Sequence, residues 1–97
     1  MVSPTAVGIT ENKVTLEQWR ALLAVIDAGG YAKAAELLNK SQSAVSYAIS
    51  QLETALSVKV FQLQGRKAVA SPAGELLYRR AKQLLEQAER LEKSAGG

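Results

Sequence analysis

The 97-residue sequence contains no cysteine and no histidine. These absences exclude disulfide staples, Cys/His zinc sites, thiol nucleophiles and imidazole general bases. Aromatics are scarce at 5%, so a core has to be assembled mainly from Leu, Val, Ile and Ala. No apolar run approaches the roughly 18 residues of a membrane span. The opening MVSPTAVGITENK also lacks the basic start and apolar stretch of a secretory signal. There is no phosphate loop and no recognisable pair of catalytic carboxylates. An enzyme is therefore not expected, nor is any metal or cofactor, and the expected location is the cytoplasm.

What is present fits one small globular domain: 47% apolar and 22% charged residues. The net charge of +3 is unevenly spread. Residues 59–82 hold Lys59, Arg66, Lys67, Arg79, Arg80 and Lys82 against Glu75 alone, while the segments on either side are each slightly acidic. Such asymmetry favours a polyanionic partner over a neutral one.

Local signals divide the chain. Residues 1–13 have no periodicity and read as a flexible arm. Thr15-Leu-Glu-Gln18 forms a capping box, and Leu16, Trp19, Leu22, Leu23 and Ile26 then mark one face of a helix that Gly29-Gly30 ends. A short helix follows over Tyr31–Leu38, with Ala34, Ala35, Leu37 and Leu38 expected inside. Asn39 suits a tight turn, and Ser41 is a natural N-cap for a third helix, Gln42–Leu56. Val45, Ile49, Leu52 and Leu56 give that helix a core face. Gln42, Ser43, Ser46, Tyr47 and Ser50 lie opposite and are all polar.

The β-branched and aromatic run Val58–Phe61 reads as a strand, Gln62–Lys67 as a hairpin loop and Ala68–Ala70 as the return strand. Ser71-Pro72 opens a last helix, expected to reach Lys93 before a frayed end at residues 94–97. Its Leu77, Ala81, Leu84, Ala88 and Leu91 step by four, three, four and three, which is a heptad seam. A helix of that length outruns what so small a domain can cover, so the distal seam points to a second copy.

The fold class expected is mainly α: three helices and a two-stranded β wing (residues 14–71), then a long C-terminal helix (72–93). A short helix rich in Ala, a turn and a longer helix with a free polar face have the layout of a helix-turn-helix. A following hairpin makes it a winged helix. The exposed helix face carries no Lys or Arg, so reading of bases would rest on hydrogen bonding, as in a Gln42 pairing with adenine. Lys33, Lys40, Arg66 and Lys67 would supply phosphate or minor-groove contacts. A winged helix serving only as a dimerisation or protein-docking module fits the same residues, and an ordinary helical hairpin in a small bundle fits the helix-turn-helix segment.

The sequence resembles the N-terminal DNA-binding domain of LysR-type transcriptional regulators over roughly Val14–Lys93. The motifs, in order, are Leu-Glu-Gln-Trp-Arg-Ala-Leu, Gly-Gly-Tyr-Ala-Lys-Ala-Ala-Glu-Leu-Leu, Ser-Gln-Ser-Ala-Val-Ser-Tyr-Ala-Ile-Ser-Gln-Leu-Glu, Val-Lys-Val-Phe and Ser-Pro-Ala-Gly-Glu. The resemblance implies a winged helix-turn-helix with a dimerising linker helix that binds double-stranded DNA at interrupted inverted repeats in bacterial promoters. That would place the protein at the nucleoid. It assigns base reading to Gln42, Ser43, Ser46 and Tyr47 and wing contacts to Arg66 and Lys67. An effector ligand is implied only for a C-terminal domain of a parent protein; the chain is either a truncated or a naturally short form, and the Ser-Ala-Gly-Gly ending favours a cut near the linker.

Four positions depart from the family pattern. Ser43 stands where proline is frequent, Tyr47 where Arg or His is frequent, Leu63 where the wing often has arginine, and Ser57 where glycine commonly ends the third helix. A left-handed Ser57 would cost about 1 kcal/mol.

Overall fold

The structure, a computed structural model, describes residues 12–65 and 67–96. The N-terminal arm expected over residues 1–13 therefore lies outside the described residues apart from Asn12 and Lys13, as do Arg66 and Gly97. The first helix, α1, spans Leu16–Ala28. Its capping box is formed in full: Thr15 Oγ1 accepts from the Gln18 N–H at 3.2 Å, and the Thr15 N–H donates to Gln18 Oε1 at 2.9 Å. Two otherwise orphan N–H groups are thereby satisfied, a contribution of about 1 kcal/mol. Gly29 closes the helix in the left-handed region, with φ 82°.

The buried face of α1 differs from the one its large residues predict. Ala21, Leu22, Ala24 and Val25 are buried, whereas Leu16 is 42% exposed and Trp19, Leu23 and Ile26 are only half-buried. The reason is that α1 touches three other helices. Ala21 and Ala24 let those backbones approach closely, so small residues share the central face with Leu22 and Val25 while Leu16, Trp19, Leu23 and Ile26 lie towards its edges.

Helix α2 spans Tyr31–Leu38 and α3 spans Gln42–Leu56. On α2 the inward stripe is Tyr31, Ala34, Ala35 and Leu38, at the i, i+3, i+4, i+7 spacing of one helix face. Leu37, expected inside, falls about a third of a turn off that stripe and is 68% exposed. On α3, Val45, Ile49 and Leu52 are buried and Leu56 is half-buried, as their spacing requires. The core is completed by Val14 and Val60. Each large side chain in it contributes roughly 1.5–3 kcal/mol relative to exposure.

The wing is an antiparallel pair, β1 (Phe61–Gln64) and β2 (Lys67–Ala70), in register Phe61↔Ala70 to Gln64↔Lys67. The first strand thus begins at Phe61 rather than Val58. The backbone before it is engaged elsewhere. The Val60 N–H donates to Glu53 Oε2 at 2.9 Å, the Val60 carbonyl accepts from the Ser71 N–H at 2.9 Å, and the Lys59 carbonyl accepts from Ser71 Oγ at 2.6 Å. Those bonds tie the segment to α3 and to the cap of the last helix, which draws Val60 away from a ladder.

The last helix, α4, spans Pro72–Gly96 and so continues beyond Lys93 through residues 94–96, part of the end expected to fray. Ser71 caps it, accepting from the Gly74 N–H at 3.0 Å, with Pro72 at the first helical position. Gly74 is required by contact. A Cβ there would sit 2.1 Å from the Val60 carbonyl oxygen, so only glycine lets α4 start this close to the core.

Candidate nucleic-acid interface

The turn between α2 and α3 is built from local chemistry. Asn39 adopts the left-handed conformation with φ 56° and ψ 48°, a cost that Asn bears more easily than most side chains. The chain reverses through Lys40 N–H to Ala35 carbonyl at 2.9 Å. Ser41, in extended backbone, then accepts from the Ala44 N–H at 3.1 Å and starts α3. Ala34 and Ala35 are buried where α2 meets its neighbours, which permits the close crossing that a helix-turn-helix needs.

With Val45, Ile49 and Leu52 fixed inward, the opposite side of α3 is solvent-facing along its length. Gln42, Ser43, Ser46, Tyr47 and Ser50 are all exposed, Tyr47 at 66%. Gln42, Ser43, Ser46 and Ser50 make no side-chain hydrogen bond among the described residues, so their donors and acceptors are free for a ligand. Tyr47 Oη accepts from Gln51 Nε2 at 2.6 Å. That i, i+4 contact steers the phenol along the helix and adds Gln51, which the sequence alone did not single out.

The expected cations are distributed over separate elements. Lys33 is exposed on α2, and Lys67 is exposed at the start of β2, opposite Gln64. Arg66 lies outside the described residues. Gly65 takes φ 70° in the tight connection, and the wing base is held to α2 by an edge-on contact of Phe61 and Tyr31, ring centres 6.0 Å apart. Leu63 is exposed on the wing.

Lys40 is not a free cation: its ammonium is ion-paired with Glu17 of α1, which also meets Arg20 at 3.3 Å. The hydrogen bond from Lys40 and its charge hold the Glu17 carboxyl below its ordinary value, with Arg20 adding to the effect. Glu17 and Lys40 are far apart in sequence, so no local spacing signals the pair.

The expected helix seam divides into two parts. Ala81 is 3% exposed and Leu77 packs against the core, so both are spent within this chain, on the side where α4 meets α1. Leu84 and Leu91 are exposed at 44% and 72%, with Ala88 half-buried between them. No described helix is long and apolar enough to cross a membrane.

A model of the family described as bacterial regulatory helix-turn-helix proteins of the lysR family matches residues 16–75, from the first turn of α1 to the start of α4. The chain belongs to the LysR family. This LysR-type chain is 42% identical over 79 residues to the HTH-type transcriptional regulator YeiE of Escherichia coli (strain K12), covering 81% of the chain and 27% of that protein. It thus spans about a quarter of that relative's length. Among solved structures it is similar to oxidised OxyR of Corynebacterium glutamicum, with a TM-score of 0.83 at 35% identity, over 91% of this chain and 27% of that one. It is also similar to the BenM DNA-binding domain in its complex with catB site 1 DNA, with a TM-score of 0.81 at 25% identity, over 86% of this chain and 93% of that one. The family is one of DNA-binding transcriptional regulators, and the winged helix-turn-helix with a long final helix is its fold.

Proposed function

We propose that this LysR-type chain is the DNA-reading head of a bacterial transcriptional regulator, binding double-stranded DNA as a homodimer at an interrupted inverted repeat. The observation that carries the reading is the outer face of α3. Gln42, Ser43, Ser46, Tyr47 and Ser50 form a continuous exposed row on a helix whose other side is locked into the core. Such a face fits a major groove. Gln42 offers a bidentate amide for adenine N6 and N7, the serine hydroxyls donate or accept at base edges or phosphates, and Tyr47 packs on a thymine methyl or bonds a phosphate.

Affinity without sequence preference falls to the cations outside that helix. Lys67 on the wing and Lys33 on α2, with Arg66 from outside the described residues, are assigned to backbone or minor-groove contacts. Lys40 and Arg20 share the Glu17 carboxylate, so that cluster keeps a net positive charge that contributes at longer range. Leu84, Ala88 and Leu91 are assigned to the seam with a second copy, since a row of exposed Leu on a soluble helix is stabilised by a partner. A cytoplasmic, nucleoid-associated location follows from this role.

The test is fluorescence anisotropy with labelled duplexes: an AT-rich interrupted inverted repeat, its isolated half-site and a scrambled control, each at several salt concentrations. The expected result is tightest binding to the repeat and a salt slope that Lys67→Ala flattens by about one on every duplex. Absence of binding at low salt would refute the reading and favour a protein-docking role for the same helix face.

A further inference from the structure

In a dimer that joins its reading heads through α4, the angle between α4 and the head decides how far apart the two α3 helices lie. Two polar attachments fix that angle. The first is at the base of α4, where Ser71 bonds the backbone of Lys59 and Val60 and Gly74 lies against the Val60 carbonyl. One anchored end is a pivot, about which a helix still tilts. Leu77 and Ala81 press α4 towards the core, but apolar helix packing tolerates a scatter of about 15–20° in crossing angle.

The second attachment narrows that latitude. Tyr78 Oη donates to Asp27 Oδ1 in the last turn of α1. It is the one side-chain hydrogen bond between α1 and α4 among the described residues. Neither residue has another side-chain partner among them, and neither is needed for the core. The lever is long: Pro72 to Ala88 is roughly 24 Å of helix. A tilt of about 10° at the pivot therefore moves the seam by about 4 Å in each protomer, close to the roughly 3.4 Å rise of one base pair.

We infer that the Tyr78–Asp27 hydrogen bond is a positioning pair that sets the half-site spacing the dimer accepts. This rests on the dimeric DNA-binding reading above. It adds a specificity determinant that touches no DNA, reading the length of the spacer while α3 reads the bases.

The probe is the inverted repeat that the wild-type chain selects from a random duplex pool, with its spacer lengthened or shortened one base pair at a time, together with the isolated half-site. Tyr78→Phe and Asp27→Ala each remove the bond, and Asp27→Asn keeps an acceptor for the phenol. Thermal melts establish that each variant is folded, and the two independent disruptions guard against the loss of either one. For both disruptions the expected result is a fall of about threefold or more in the penalty for an altered spacer, with half-site affinity unchanged. Asp27→Asn should behave as wild type. An unchanged spacer penalty in the disrupted variants, or an equal loss of half-site affinity, would overturn the inference. Selection of no inverted repeat by the wild-type chain would instead defeat the dimeric reading, and the inference with it.

Discussion

The two sides of α3 have the same backbone and opposite demands. Inward, Val45, Ile49 and Leu52 are buried among α1, α2 and Val60, and shape decides what is allowed there. Outward, Gln42, Ser43, Ser46, Tyr47 and Ser50 meet solvent, and core packing sets no limit on them. On the reading proposed above, the difference separates stability from recognition within one small domain. A rigid inner face holds the helix in place, so the backbone that carries the outer side chains is ordered before it meets a duplex.

This separation can be broken from either side, and the largest effect lies inside. Leu52→Ala, at a fully buried position, should lower unfolding stability by about 3 kcal/mol through lost burial and a residual cavity. Urea denaturation would measure it. Base preference of the remaining folded protein should be unchanged, and an altered preference would mean that the two faces are not separable.

Outside, Gln42→Ala should weaken specific binding by roughly 1–3 kcal/mol and relax one base position. Its melting temperature should match wild type, because the amide makes no intrachain hydrogen bond among the described residues. Equal loss on specific and random duplexes would show that Gln42 bonds phosphate rather than base.

The end of α3 permits a smaller change, and in the opposite direction. Ser57 closes the helix with φ 54°, a conformation that costs a non-glycine residue about 1–2 kcal/mol. Ser57→Gly should therefore stabilise the chain by about 1 kcal/mol in the same denaturation assay and leave DNA affinity alone.

The smallest effect concerns Glu17, an exposed carboxylate whose pKa is lowered from 4.5 by its hydrogen bond from Lys40. Because the folded value lies below the unfolded one, the pair's contribution is complete above about pH 4.5 and is lost as pH falls through the lower folded value. The difference between wild type and Glu17→Gln in urea midpoint should be slight at neutral pH, shrink with added salt, and close on acidification below pH 4.5.

Much of this was legible in the sequence because its signals are local. The Thr15–Gln18 box, the Asn39 turn, the Ser41 cap and the Ser71-Pro72 start each depend on residues within a few positions of one another. All four are seen where the sequence puts them. The same holds for the two faces of α3, whose spacing alone assigns them. Features that depend on distant partners were not legible. Val58–Val60 has the composition of a strand, yet its backbone is claimed by Glu53 and Ser71. The centre of α1 is set by alanines that other helices approach, so Leu16 and Trp19 misplace it. The Lys40–Glu17 and Tyr78–Asp27 contacts join residues with no periodic relation at all.

The most direct test of α3 as the reading helix is an NMR titration of the nitrogen-15-labelled chain with a duplex carrying an interrupted inverted repeat. The largest amide shifts should fall on Gln42, Ser43, Ser46, Tyr47 and Ser50, with a second set at Lys67. Unmoved α3 amides beside strong shifts on another surface would contradict it.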